Sequence, residues 1–145
     1  MYGKPKFIIF SLRLVMGWLF FYSGITKILD PDWTAAGLLQ NASTFSGFFA
    51  WLASPKNITW INFLNEWGQL AIGVALILGV FVSYASFFGA LMMGLYYLPG
   101  LDFPFVEHGF LIDEHIIYAL LFLLLIRLRA GRIYSISSLF GRNPY

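Results

Sequence analysis

Lys27, Asn62, Glu66, Gln69, Tyr97, Asp113 and His115 are the side chains of this sequence best suited to chemistry, because each lies in or beside a long apolar run. An ammonium, two carboxylates and an imidazole can exchange protons, while amides and a phenol can orient a polar ligand. Glu66 is the strongest marker. It is the single formal charge between Ile58 and Leu98, and in a helix beginning at Ile58 it lies about 12 Å from the start. An ionisable group at that depth in a bilayer costs about 2.5 to 3.5 kcal/mol, so it faces protein or trapped water and needs a partner. Lys27, on the preceding apolar run and about one helical turn away in depth, is the expected counter-ion. In low dielectric, removing either member of such a pair strands the other.

The elements that must position these groups follow from composition. A chain of 145 residues that is 59% hydrophobic, 20% aromatic and 11% charged has too little polar surface to cover a soluble globule. It reads as a single-domain, all-α integral membrane protein. Apolar runs predict helices over about 7–29, 58–80, 82–98 and 113–130. Lys4 and Lys6 at one end, and Arg127, Arg129, Arg132 and Arg142 at the other, have no acid near them. The positive-inside rule then puts both termini on the cytoplasmic side of the cell membrane, so the number of crossings is even, and four satisfies this where three does not. The first apolar run is expected to remain as a span and not to be cleaved, being too long for a signal and carrying Arg13 and Lys27. Within it, Arg13, Gly17, Phe20, Gly24 and Lys27 share one helical face suited to close packing; the plainer account of the two cations is snorkelling toward opposite interfaces, which is the expectation for Arg13 and the alternative to the ion pair for Lys27. Ser86, Ala90 and Gly94 form a small-residue packing stripe on the third helix, which Pro99 and Gly100 should stop. Between the first two spans, residues 43–54 place Phe45, Phe48, Phe49 and Leu52 at helix-face spacing and predict one short interfacial helix.

This topology collects the remaining polar groups in the outer half of a four-helix bundle, with every helix contributing. Lys27 comes from the first helix, Glu66, Asn62 and Gln69 from the second, Tyr97 or Tyr96 from the third, and Asp113 and His115 from the fourth. A quinone head group wants such a place: a donor for each carbonyl, a titratable group and a flat apolar slot. Glu66 and His115 would handle protons, and Lys27 would set the charge of Glu66. The plainer alternative is polar glue, in which the same residues fix helix register in a non-catalytic scaffold. Cysteine is absent, which excludes a disulfide relay in this chain alone. With two histidines, neither deep in a span, a haem with two axial histidines is not expected. Glu107, His108, Asp113, Glu114 and His115 are close in sequence but lack metal-site spacing, so no metal is assigned. The expected partners are the lipid bilayer, a membrane quinone and further subunits of a membrane complex, with no nucleic acid.

The segments GWLFFYSGITKILDPDW, LNEWGQLAIGVALILGVF, GALMMGLYYL, LIDEHIIYALLFLLL and RAGRIYSI resemble the DoxX/DoxD family of four-helix membrane proteins over nearly the whole chain. The Gly24 to Lys27 spacing, the Glu66, Gly68, Gly73 series and Ala130 to Arg132 carry the likeness, which is nearest to the DoxD-like branch. That resemblance implies a membrane subunit of a thiosulfate:quinone oxidoreductase type of complex, delivering electrons from a small sulfur compound to quinone. Against thiosulfate itself stands the outer charge balance: Asp30, Asp32, Asp102, Glu107, Asp113 and Glu114 face only Lys27 and Lys56, a field that repels a small dianion.

Overall fold

A computed structural model describes residues 5–106 and 109–139. Helix α1 (Lys6–Leu29) leads to two short helices, α2 (Ala36–Gln40) and α3 (Ser46–Leu52), and then to α4 (Ile58–Leu78) and α5 (Val82–Gly100). Strands β1 (Leu101–Asp102), β2 (Phe105–Val106) and β3 (Gly109–Phe110) follow, then α6 (Glu114–Arg127), a 3-10 turn (Ala130–Arg132) and α7 (Ile136–Leu139). The first three predicted long helices stand where their apolar runs placed them.

α1 packs on α4 with backbone touching backbone. A Cβ at Gly24 would come within 2.5 Å of the Leu70 N and 3.0 Å of the Glu66 carbonyl oxygen, and one at Gly73 would collide with the Phe21 N. Only glycine permits that approach, so the expected packing face of α1 is the buried one. α5 meets α6 where the Phe122 ring lies on Gly89. Of the expected small-residue stripe, Ser86 is buried, whereas a Cβ on Gly94 would meet nothing. The contact runs instead along Val82, Ala85, Ser86, Gly89 and Met93. Phe20, Leu76, Phe122 and Leu125 form the centre of the core, with Phe20 edge-on to Phe122 at 4.9 Å.

Polarity is inverted relative to a soluble globule. Trp18, Tyr22, Phe63, Trp67, Phe87, Phe88, Leu91, Leu120 and Leu123 lie exposed around the bundle, while Arg13 and Gln69 are buried. An apolar girdle of this extent suits hydrocarbon as its surroundings. By length and composition α1 and α4 are able to cross a membrane. α6 ends sooner than predicted, because the chain turns at Leu128 and enters the 3-10 turn through Arg129 at φ 50°.

Four expectations need correction. The chain is not wholly α: residues 101–110 include a small antiparallel sheet of order β1-β2-β3, with Leu101 opposite Val106 and Phe105 opposite Phe110. The single interfacial helix is two short ones, because Phe45 takes φ 51° and can only precede α3. Phe49 is buried there, in a cluster with Leu39 and Ala53, but Phe45 and Phe48 are exposed. α5 runs through Pro99 to Gly100, since proline removes one N–H and the Leu101 N–H closes the last turn on the Leu98 carbonyl.

Arg13 is the fourth. It does not snorkel but is fully buried, donating to the carbonyls of Ala130 at 2.8 Å, Ile133 at 2.7 Å and Tyr134 at 2.9 Å. The Ala130, Ile133 and Tyr134 carbonyls, where α6 gives way to the 3-10 turn, take up both terminal nitrogens of the guanidinium without a carboxylate, while its buried Nε has no hydrogen-bond partner among the described residues. Gly79, at φ 74°, makes room: a Cβ there would reach 3.1 Å from the Arg13 Cζ and 2.5 Å from the Ser135 Cβ. Replacing Arg13 removes three hydrogen bonds that tie α1 to the turn after α6. Arg13→Met is expected to destabilise the detergent-solubilised protein by about 1–3 kcal/mol, and to raise amide exchange at Arg132 and Ile133. Unfolding and hydrogen-exchange measurements that show neither would exclude this role.

Candidate functional site

Between α1 and α6, at the Lys27 end of the bundle, lies a crevice of about 430 Å³. α1 supplies Leu19, Phe20, Tyr22, Ser23, Thr26 and Lys27, and α6 supplies Glu114, His115 and Tyr118. Gln69 of α4 and Met93 and Tyr96 of α5 complete the lining. The crevice exists because the packing is unequal: glycines draw α1 onto α4, and Phe122 on Gly89 draws α6 onto α5. Those two pairs part above Phe20 and Phe122.

Lys27 is anchored where Gly24 presses on α4. One turn beyond that contact its ammonium donates to Gln69 Oε1 at 2.8 Å, Asn65 Oδ1 at 3.0 Å and the Tyr96 hydroxyl at 3.0 Å. Three acceptors match the three protons of an ammonium. The Tyr96 hydroxyl in turn donates to Asn65 Oδ1 at 2.5 Å, and the Ser23 hydroxyl donates to Gln69 Oε1 at 2.9 Å. The Trp33 ring, with its centroid 4.7 Å from Lys27 Nζ, adds a cation-π contact.

The expected ion pair between Lys27 and Glu66 is therefore replaced. No carboxylate among the described residues lies within 4.0 Å of the ammonium, and Glu66 acts on it only through space. The reason is helical geometry. Asn65 and Gln69 are four apart and share the face toward α1, whereas Glu66 is about 100° round from Asn65. Glu66 is half-exposed and does not line the crevice.

Asp113 caps α6. Its Oδ1 accepts from the His115 N at 3.0 Å and the Ile116 N at 3.4 Å, and its Oδ2 lies 2.7 Å from His115 Nδ1. The imidazole stacks on Tyr96, with centroids 5.8 Å apart and planes inclined by 20°. Of the residues singled out from sequence, Lys27, Gln69 and His115 thus meet at one crevice, with Asp113 directly behind His115. Asn62 and Tyr97 stand elsewhere. Asn62 ties the chain before α2 to α4, accepting from the Ala35 N at 3.0 Å and donating to the Thr34 hydroxyl at 3.1 Å. The Tyr97 hydroxyl donates to the Leu111 carbonyl at 2.5 Å. Glu107 and His108 of the metal alternative lie outside the described residues; among those described, no group of three ligating side chains gathers.

Tyr96, named from the sequence as the alternative to Tyr97, is the α5 residue at the site, and Asn65, Ser23 and Tyr118 complete it without having been chosen as site residues from the sequence. Tyr96 continues the buried α5 series Ser86, Gly89, Met93 at a spacing of three and Tyr97 at a spacing of four, so it is their contacts that tell the two apart. Ser23 shares the Lys27 face, and Tyr118 follows Glu114 and His115 by four and three.

The model of the DoxX family matches residues 8–98, well over half of the chain, and the protein belongs to the DoxX family. It is a membrane protein. No curated protein and no solved structure matches it. The family match ends at Leu98, so Lys27, Gln69 and Tyr96 fall inside it, and the α6 wall of the crevice falls outside.

The partnership of Lys27 is open to measurement. In double-mutant cycles in detergent, Lys27→Met and Asn65→Leu are expected to couple by about 1–2 kcal/mol. The coupling of Lys27→Met to Glu66→Gln should be smaller. The reverse order would restore the ion pair.

Proposed function

We propose that the protein is a four-span subunit of a quinone-linked redox complex and that the crevice between α1 and α6 takes the quinone head group. The observation that carries this reading is the juxtaposition of a saturated ammonium network on one wall with an Asp-His pair on the other, in a slot framed by Phe20, Tyr22 and Tyr118. The fit to a flat dicarbonyl rests on what remains unbonded. Among the described residues the Tyr118 hydroxyl and His115 Nε2 have no partner in the protein, and Gln69 Nε2 has only a marginal 3.5 Å contact with Tyr96. The Tyr118 hydroxyl and Gln69 Nε2 are donors for carbonyl oxygens, and His115 Nε2 is a site for proton exchange. A slot between two helices exposed to hydrocarbon also admits a lipid-soluble ligand from the side.

A bound quinone would supply a two-electron, two-proton couple. This chain's residues would orient it and exchange protons with it. Lys27, its own valences filled, would hold positive charge in the wall, where negative charge develops on reduction. The resemblance to the DoxD-like branch supplies the electron source: two thiosulfate ions joining as tetrathionate release two electrons, which with two protons convert quinone to quinol. Without cysteine the chain has no thiol to carry those electrons, and the exposed Asp30, Asp32, Asp102 and Glu114 repel a dianion. Both points favour a reading in which a partner subunit handles the sulfur compound.

Binding is tested by titrating purified, detergent-solubilised protein with a short-chain benzoquinone and following tryptophan fluorescence. Saturable quenching is expected, and the double variant Lys27→Met, Gln69→Leu should weaken it at least about tenfold, or 1.4 kcal/mol. Trp67→Phe, on the outer surface, should leave the affinity unchanged. Absence of saturable binding, with no quinone co-purifying, favours the scaffold reading.

The four crossings are tested on the same cysteine-free background. α6 is about 21 Å long, and Asp113 at one end and the Ala130–Arg132 turn at the other would bring it to the interfaces. Single cysteines at Asp32 and Asp102 should react with an impermeant maleimide from outside intact cells. Cysteines at Phe81 and Arg132 should react only after permeabilisation. Labelling of Asp32 and Asp102 from opposite sides would refute four spans.

A further inference from the structure

We infer that Asp113 is a positioning residue that holds His115 in the tautomer with Nε2 open to the crevice, making His115 the group that exchanges a proton with the bound head group. This deepens the quinone reading and rests on it.

The Asp113 carboxylate is committed twice. Oδ1 accepts backbone N–H groups at the start of α6, and in an ionised carboxylate Oδ2 is an acceptor as well. The proton in the 2.7 Å contact with His115 Nδ1 therefore sits on nitrogen. In the neutral ring Nε2 then carries a lone pair, and no protein group occupies it among the described residues. Stacking on Tyr96 fixes the plane of the ring. The charged and titratable groups around it are Glu114 on its own helix, Tyr118 one turn on, Tyr96 from α5 and Lys27 from α1. None is within ion-pairing distance of the imidazole.

The consequence is a two-way proton exchange without rearrangement. When Nε2 takes a proton from a ligand hydroxyl, the O–H bond breaks, an N–H bond forms, and the positive charge of the ring falls beside the Asp113 carboxylate. Returning that proton to a ligand carbonyl oxygen restores the neutral ring. An imidazole held through the other nitrogen would present N–H to the crevice and could not accept.

The test uses the whole chain in detergent, labelled with nitrogen-15 at histidine. The sequence has only two histidines, and His108→Gln assigns the spectrum. At a pH where the ring is neutral, His115 Nε2 is expected to give a pyridine-like resonance and Nδ1 a pyrrole-like one. Asp113→Asn retains a good helix cap but presents an amide N–H to the ring, so the two resonances should exchange character. Adding the short-chain benzoquinol should move the Nε2 resonance of the wild-type protein, and the move should be lost in Asp113→Asn. A wild-type ring protonated on Nε2, or one unchanged in Asp113→Asn, overturns the positioning role. Quenching by the quinone and quinol that leaves Nε2 unmoved overturns this inference alone. Absence of quenching removes the quinone reading and the inference with it.

Discussion

Contact between the backbones of α1 and α4 is the constraint from which the arrangement of this protein follows. Gly17 and Gly24 on one helix and Gly73 on the other leave no room for a side chain between them. Helices that close are fixed in register to within a fraction of a residue, because each main chain fills the groove of the other. Register is what the crevice needs. Gly24 lies on the α4 backbone between Glu66 and Leu70, and Lys27, one turn farther along, meets Asn65 and Gln69 as a result. A one-residue slip would carry its ammonium about 100° round, away from both amides.

The interior charges obey a different economy from surface ones. Arg13 and Lys27 are each coordinated by neutral oxygens, three carbonyls in one case and two amides and a phenol in the other. Pairing with a carboxylate would desolvate two ions in place of one. Neutral dipoles fixed by the backbone or by their own hydrogen bonds stabilise a cation without that second cost. The guanidinium suits the Ala130, Ile133 and Tyr134 carbonyls because it is a wide planar fork, and the ammonium suits a compact three-oxygen cradle. The two sites therefore hold opposite ends of the bundle by one physical device.

The main outline was legible because hydropathy speaks for long segments. The boundaries near Leu29, Ile58 and Val82 are written in apolar runs ended by proline, by polar residues or by a glycine, and the buried face of α1 is written in its glycines. What was not legible depends on contacts between distant segments. Nothing near Arg13 announces that residues 130–134 will fold back over it. Glu66 drew attention as a lone charge, yet the direction of a side chain at the edge of a face is decided by a neighbouring helix, and its uncharged neighbour Asn65 took the partner. Phe45 and Arg129 adopt positive φ against their residue preference, so the split of the interfacial helix and the early end of α6 have no local signal.

α6 explains why the crevice opens where it does. It is bound to α5 by the Phe122 ring on Gly89, to the chain end by the turn that Arg13 clamps, and at its start by the Asp113 cap. It has no glycine of its own to bring it onto α1, and between Phe20 and Lys27 that helix turns Tyr22, Ser23 and Thr26 toward the gap. A helix packed closely along one flank and loosely along the other leaves a slot between itself and α1. The separation between the Lys27 network on one wall and His115 on the other is thus set by packing elsewhere in the bundle, by Gly24 on α4 and by Phe122 on Gly89.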